Sequence, residues 1–503
     1  MATRTYVIKG KVQGVGFRKF AVQIAADYGL TPTAHNKPDG SVEVTVTGDR
    51  PEMVFRAYKS QLAGGPPGSD PISVEEKNAK TMANESLKNK AALIIDNGSF
   101  TELAYTLAES YAKVYYFSSW VTAFPQTNAM MIGTGAGDIE RVNDYWHLFP
   151  EVDLVVFPDL YYPGLQVFLE KQFPHLRVWG GRWGETLETD RDAAKTKMTK
   201  LGIEVGKWTS ITGLSALREY LKHHKNKWVK ISETRGDMET FFSKNYDLVE
   251  SVLDDLEQHF QAAKETKKFH VEDDLPDSID IAADIYSVDG QFPTLGQISH
   301  EVKDRSCVGR ILPAAKWPKT IRDTNDKLSA TFKRFKYRQF FAAETRQVKN
   351  GTGYVNDPAC RMTSPPGGSL LNQYTNIAEI LWHGAAGECI DPVPEGEWNC
   401  TLIIYSEWAE KNWLMVQFPE KIRNQVKLKQ CAIIDGKYYV VPQTVGLCEI
   451  GEVCATGATL DEAREKCQEY GDRIEGHKVK VFKDALDEAD AEIEKLAKYG
   501  IKL

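Results

Sequence analysis

The sequence predicts an α/β multidomain protein in which a small α+β sandwich precedes a parallel-sheet domain and a larger mixed region. Three observations carry this. At 503 residues the chain has room for roughly three or four separately cored domains. Its first 80 residues run through strands, helices and glycine-rich turns in a compact βαββαβ order. From residue 91 onward, continuous apolar strands alternate with helices, the pattern of a parallel sheet covered on both faces.

Composition narrows the classes. Apolar content of 42% and charged content of 26% are those of an ordinary globular protein. No run approaches the roughly 20 apolar residues of a membrane span, and MATRTYVIKGKV lacks a signal-peptide core, so no membrane association is expected. All eight cysteines lie beyond residue 300 and none forms a CxxC pair, which points away from zinc and redox motifs and toward a reducing cytoplasm. The net charge of −8 is uneven: residues 1–80 carry 11 Lys and Arg against 8 Asp and Glu, so the remainder holds the acidic excess. That balance argues against nucleic acid and leaves room for small anionic ligands in local basic pockets.

In the first unit, expected over 1–80, TYVIKGKV is a strand, VQGVGFR a glycine-punctuated loop and KFAVQIAADYGL a helix stopped by Gly29. SVEVTVTG alternates, with Val42, Val44 and Val46 on one face and Glu43, Thr45 and Thr47 on the other. A helix around PEMVFRAYKSQL and a short strand, PISVEE, complete a ferredoxin-like α+β sandwich. Its chemistry sits at Gln13, Gly14, Val15, Gly16, Phe17 and Arg18. Glycines just before a helix let backbone N–H groups converge on an anion, and Arg18 adds a bidentate fork. Asn36 is a neutral amide able to orient a water. A tight turn alone would explain a lone GxG. The longer string GKVQGVGFRKF, with Asn36 and PDGSVEV after it, resembles the acylphosphatase family across residues 1–80. The resemblance implies that the loop and Arg18 bind the phosphate of an acyl phosphate and that Asn36 positions the attacking water.

A polar linker is expected at 81–90, then a parallel α/β domain over 91–178, a region over 179–398 and a C-terminal α+β domain over 399–503. AALIIDNGS, VYYFSS and VDLVVFPDLYY are strands of the parallel sheet, whose ligands would sit at strand C-termini near 96–99 and 158–159. ETDRDAAKTKMTKLGIEV reads as a basic helix carrying Lys195. KWVKISETRGDMETFF places Lys230 on a strand, with Ser232 and Arg235 in the flap behind it, a combination able to hold triphosphate oxygens. In FHVEDDLPDSID, Glu272 or Asp273 offers acceptors to a nucleotide's amine and ribose hydroxyls, with Asp280 near the ribose. Taken singly, these are also ordinary surface lysines and a solvated acidic turn.

The stretch FFAAETRQVKNGTGYVNDPACRMTSPPGGS, residues 340–369, reads as two strands around a turn at 349–351, then a loop opening a helix near Ser369. Glu344 and Asp357 project from one face of this antiparallel pair. Two adjacent carboxylates repel unless a cation joins them, and Mg²⁺ prefers such oxygens when it also carries phosphates. Arg346 and Arg361 offer planar forks to phosphate or carboxylate, and the SPPGGS loop with Ser364 offers a further anion site. Solvated surface ion pairs on a hairpin are the plain alternative. Toward the C-terminus, Thr459 and Glu462 form a capping box, and Cys467 falls on the apolar stripe of that helix.

The order of Lys195, Lys230, the acidic hinge, Glu344 and Asp357, together with DLVVFPDLYYPGLQ and CATGATLDEAREKCQEYGDRI, resembles the ATP-grasp superfamily over residues 90–503, nearest its glycinamide ribonucleotide synthetase (phosphoribosylamine–glycine ligase) branch. The resemblance implies an ATP-grasp fold with a parallel-sheet preceding domain, binding ATP and Mg. Lys195 and Lys230 would hold phosphates, Glu272 to Asp280 adenosine, and Glu344 with Asp357 the metal. It implies a carboxylate–amine ligase working through an acyl phosphate on small carboxylate and amine substrates. Arg361 would then help hold the phosphates and Arg346 the acceptor carboxylate. Ala359 stands where an Asn often completes the metal site, the flap holds one glycine where several are usual, and DNGSFTEL lacks the branch's glycine-rich turn. Two further readings stay open: a non-catalytic nucleotide-binding or regulatory protein, and acylphosphatase as the sole activity. A homodimer is the commonest assembly for such enzymes.

Overall fold

The computed structural model describes residues 2–37, 39–48, 52–77, 87–119, 131–231, 240–302, 305–364, 367–442 and 448–503. Ser232, Arg235 and positions 81–86 of the expected linker lie outside them. The chain divides into two compact units, Met1–Lys88 and Asn89–Leu503.

The first unit runs β1 (Ala2–Lys11), α1 (Phe17–Asp27), β2 (Thr31–Asn36), β3 (Val42–Gly48), α2 (Glu52–Gly64) and β4 (Asp70–Lys77). The strands form one antiparallel sheet in the order β2-β3-β1-β4. Val42, Val44 and Val46 are fully buried beneath the helices, as their alternation predicts, each side chain contributing roughly 1.5–3 kcal/mol. Phe17, Ala21 and Ala25 recur every four residues along α1, so one narrow stripe of that helix meets the sheet. The Tyr58 hydroxyl on α2 donates to the Ala21 carbonyl at 2.8 Å, pinning the helices together.

The second unit begins with a parallel sheet in which strands Ala91–Asp96, Lys113–Ser118, Ile139–Arg141, Leu154–Val156 and Arg177–Trp179 pair in the order third-second-first-fourth-fifth. A four-stranded antiparallel sheet follows, with Lys227–Ile231 between Lys268–Asp273 and Thr240–Ser243, and Trp208–Thr212 at the edge. A nine-stranded sheet then runs from Gly353–Ala359 at one edge through Arg338–Val348, Ser278–Val288, Leu295–Val302 and Ser306–Pro313, then through Trp398–Tyr405 and Glu449–Gly457 to Val426–Leu428, with the short Lys480–Val481 strand paired to the end of Trp398–Tyr405.

That sheet crosses the division expected at 398. Trp398–Tyr405 hydrogen-bonds Ser306–Pro313 on one side and Glu449–Gly457 on the other, so strands on both sides of residue 398 share one ladder. The turn expected at 349–351 is present, Gly351 N donating to Val348 O at 2.9 Å. The helix expected to open near Ser369 spans Gly367–Gln373. The capping box forms: Thr459 accepts from Glu462 N, and Glu462 accepts from Ala458 N at 2.8 Å. The eight cysteines are all free, and Cys467 is buried in the core. No helix among the described residues is long and apolar enough to cross a membrane.

Candidate functional site

Two constellations emerge, one in each unit. In the first, Gly14 and Gly16 hold φ of +74° and +77°, a backbone that L side chains rarely adopt, and this lets the chain fold back before α1. The Gln13 side chain is structural here: its Nε2 donates to the carbonyls of Lys37 and Ser41, both at 2.8 Å. These bonds tie the loop to the β2–β3 turn, beside Asn36 at the end of β2. Phe17 is buried and anchors α1, Val15 is half-buried against the same core, and Arg18 is exposed in the first helical turn. The result is a short loop at a helix start, flanked by one exposed arginine and one exposed amide.

In the second unit, a cavity of about 250 Å³ lies between the four-stranded sheet and the nine-stranded sheet. Trp228, Lys230 and Thr240 line it from one side; Asp280, Glu344 and Asp357 line it from the other. Glu344 and Asp357 are direct cross-strand partners, so their carboxylates project from the same face. The register shifts right after this pair, leaving Asn356 as a bulge residue. The bulge aims Asn356 at the lysines: its Oδ1 accepts from Lys230 at 3.2 Å, and its backbone O from Lys195 at 2.7 Å.

The charges form a chain. Lys230 Nζ lies 2.6 Å from Asp357 and 3.1 Å from Glu272, and Lys195 Nζ lies 2.9 Å from the other oxygen of Glu272. His270 bridges behind them, Nε2 at 3.0 Å from Glu272 and Nδ1 at 2.7 Å from Asp192. Burial opposes every one of these charges. The ammoniums of Lys230 and Lys195 and the His270 contact nonetheless hold Glu272 far below the usual carboxylate range. Asp357 is likewise lowered, chiefly by Lys230, while burial pulls Lys195 down. Glu344 behaves oppositely. It opens to solvent through the cleft, but crowding by protein and the nearby Asp357 and Glu301 carboxylates push it up to about 8.

The acylphosphatase family model matches residues 4–89. An acylphosphatase from Solibacter usitatus is 38% identical over 85 residues, spanning 17% of this chain and 86% of that protein. The chain belongs to the acylphosphatase family. This membership rests on the first unit, where Arg18 and Asn36 flank the glycine loop of the acylphosphatase string. The second unit has the ATP-grasp fold. A phosphoribosylamine–glycine ligase from Thermotoga maritima superposes with a TM-score of 0.60 at 16% identity, covering 78% of this chain and 98% of that one. The biotin carboxylase domain of Hydrogenobacter thermophilus 2-oxoglutarate carboxylase, solved with MgADP and bicarbonate, gives 0.57 at 11% identity, covering 79% and 92%.

Within this acylphosphatase–ATP-grasp chain, the cleft gathers Lys195, Lys230, Glu272, Glu344 and Asp357 as one group. Other residues singled out in the sequence sit differently. Arg346 donates to Asp280 at 2.8 Å and lies over the Trp228 ring, so the fork expected to meet a carboxylate substrate holds an internal carboxylate at the cleft wall. Asp280, expected near a ribose, is the other half of that pair. Arg361 stands behind Glu344 with its Nε on Glu188 at 2.9 Å. Asp273 pairs with Lys227. The helix-start amide expected to serve an anion at SPPGGS is taken from within: Gly368 N donates to Glu452 at 2.7 Å, and a Cβ at Gly368 would strike that carboxylate, while the Ser364 side chain lines a separate pocket beside it.

Sequence reasoning missed His270, Asp192, Asn356, Glu301 and Asp284. His270 precedes Glu272 by two residues on one strand and therefore shares its face, a signal that was available. The bulge that turns Asn356 leaves no trace in composition. Glu344 and Asp357 supply hard oxygen donors that suit magnesium, which keeps waters and phosphates as its other ligands. Among the described residues no group of three His, Cys, Asp or Glu converges to hold a metal ion. The two lysines, already held against carboxylates, suit phosphate oxygens by the same chemistry.

Proposed function

We propose that this chain is an ATP- and Mg-dependent carboxylate–amine ligase fused to an acylphosphatase domain that binds or hydrolyses acyl phosphates. The observation that carries the reading is the pairing of Glu344 with Asp357 across one ribbon while Lys230 sits 2.6 Å from Asp357. When bound, Mg·ATP supplies the phosphoryl group that activates a carboxylate for displacement by an amine. Glu344 and Asp357 would hold the metal, and Lys195 and Lys230 would hold phosphate oxygens. Glu272 keeps both ammoniums in place and charged, with His270 and Asp192 fixing its carboxylate. A cation held there would favour the charged form of Glu344, which crowding opposes. The first unit acts on the same species, an acyl phosphate: the loop of residues 13–17 and Arg18 bind its phosphate and Asn36 orients water. The substrates are small carboxylates and amines, the compartment is the reducing cytoplasm and the assembly a homodimer.

Magnesium-dependent ADP release that rises when an acid and an amine are supplied together tests the ligase reading. ADP release that ignores both would end it. Ala359, buried opposite Ala342 where it offers the metal no donor, favours a second reading in which the core binds nucleotide without turnover. Calorimetric binding of Mg·ATP with no product on a broad acid and amine panel selects that alternative.

A further inference from the structure

Beside the cleft lies a second, smaller pocket in the ATP-grasp unit, sharing Thr363 as a wall with the larger one. Ser99, Glu102, Thr363, Ser364, Lys427, Lys429 and Glu452 bring its polar groups, Glu102 being the carboxylate whose charge acts most on Lys427. The cations here divide sharply. Arg423 grips Glu102 with both guanidinium nitrogens, at 3.1 and 3.2 Å, and Lys429 is paired with Glu449. Lys427 is only 8% exposed and forms no hydrogen bond or ion pair among the described residues. A buried ammonium without a partner is costly, and its three donors need acceptors. Burial accordingly pulls its pKa below the ordinary lysine value. Its cross-strand partner is Glu452, which spends one oxygen on the Gly368 amide and makes no ion pair with it.

We propose that Lys427 anchors a small oxyanion, a carboxylate or a phosphate, in this pocket, with the hydroxyls of Ser99 and Ser364 as further donors. Glu452 faces the ligand without forbidding it: burial pushes this carboxyl up to about 7, so below neutrality most of the population carries a proton that can be donated. The shared wall at Thr363 sets the anion next to the cleft. That the anion is the distal group of the ligase's acid or amine substrate rests on the reading above; the site itself does not.

The test uses the full chain carrying Arg18→Ala, so that the acylphosphatase loop contributes no binding, with the cleft saturated by ADP and Mg²⁺. Inorganic phosphate and acetate are titrated separately by calorimetry, which separates the two sources of the oxyanion. One of them should bind one-to-one, and Lys427→Met should weaken it about tenfold or more, the loss of a charge-assisted hydrogen bond. Glu452→Gln should bind at least as tightly as the parent, with the difference growing above pH 7. Lys427→Met should also melt higher than the parent in anion-free buffer, since it removes an unpaired buried charge. Should that variant fail to fold, Ser364→Ala in its place should weaken binding several-fold, the loss of one neutral donor. Unchanged affinity in both variants, or no binding of either anion by the parent, overturns the proposal. Anion binding that persists and depends on Lys427 while ADP fails to bind sinks the nucleotide reading and leaves the anion site standing.

Discussion

The two units build their candidate sites in opposite ways. The acylphosphatase loop is written in one stretch, residues 13–18, with Asn36 on the next strand, and its single arginine stands exposed, with no ion pair among the described residues. The cleft is assembled from four strands and a helix far apart in the chain, and its cations are spent on internal carboxylates before any ligand arrives. The first arrangement is preorganised by backbone strain at two glycines. The second is preorganised by charge pairing, so a phosphate must compete with Asp357 and Glu272 for the lysines. One site is cheap to disable without harming the fold; the other is not.

The strongest way to break this contrast is Lys230→Met. It strands Asp357 and Glu272 without their shared cation and should cost about 3 kcal/mol in urea unfolding of the second unit, the low end for a buried pair because Asp357 opens to the cleft. The same variant should lose nucleotide binding by calorimetry. Arg18→Ala should lower hydrolysis of benzoyl phosphate about a hundredfold or more while leaving the melting curve in place, since the side chain is exposed. A shift of both melting and hydrolysis would erase the distinction between the units.

A pH series sharpens it further. Asp284 is buried at the cleft floor under the hydroxyls of Ser299 and Thr363, and burial raises it to about 6. Its folded pKa lies above the unfolded one. Between about pH 4 and 6 the folded chain therefore keeps a proton that the unfolded chain has released. Stability falls as pH rises through that interval and stays lower above it. Asp284→Asn should recover about 2 kcal/mol at pH 8 and almost nothing at pH 4, read from denaturant midpoints at each pH. The smallest effect belongs to Gly14→Ala. No atom lies within 4 Å of the added Cβ, so only the strain of φ +74° acts, about 1 kcal/mol in the melting of the first unit.

Legibility in the sequence followed the same divide. The fold of the first unit was readable because its signals are local: alternation in Val42, Val44 and Val46, glycines before a helix, a turn-rich stop; that Gln13 would tie the loop to Lys37 and Ser41 was not. Glu344 and Asp357 were readable because one hairpin joins them. The partners of Arg346 and Arg361 were not, because Asp280 and Glu188 are brought to them by tertiary packing over 66 and 173 residues. Glu452 at the SPPGGS loop was hidden for the same reason, 84 residues from Gly368. A helix start looks like a vacant anion site in sequence whether or not the fold has already placed a carboxylate there.

The ladder that passes through residue 398 has a practical side for anyone cutting the polypeptide into pieces. Separation at 88/89 leaves every sheet whole. A fragment ending at 398 would instead strip Ser306–Pro313 of its neighbour and bare a long row of unsatisfied amides and carbonyls. Such an edge recruits other chains, so that fragment should come out of expression as aggregate, whereas 1–88 and 89–503 should each stay dispersed.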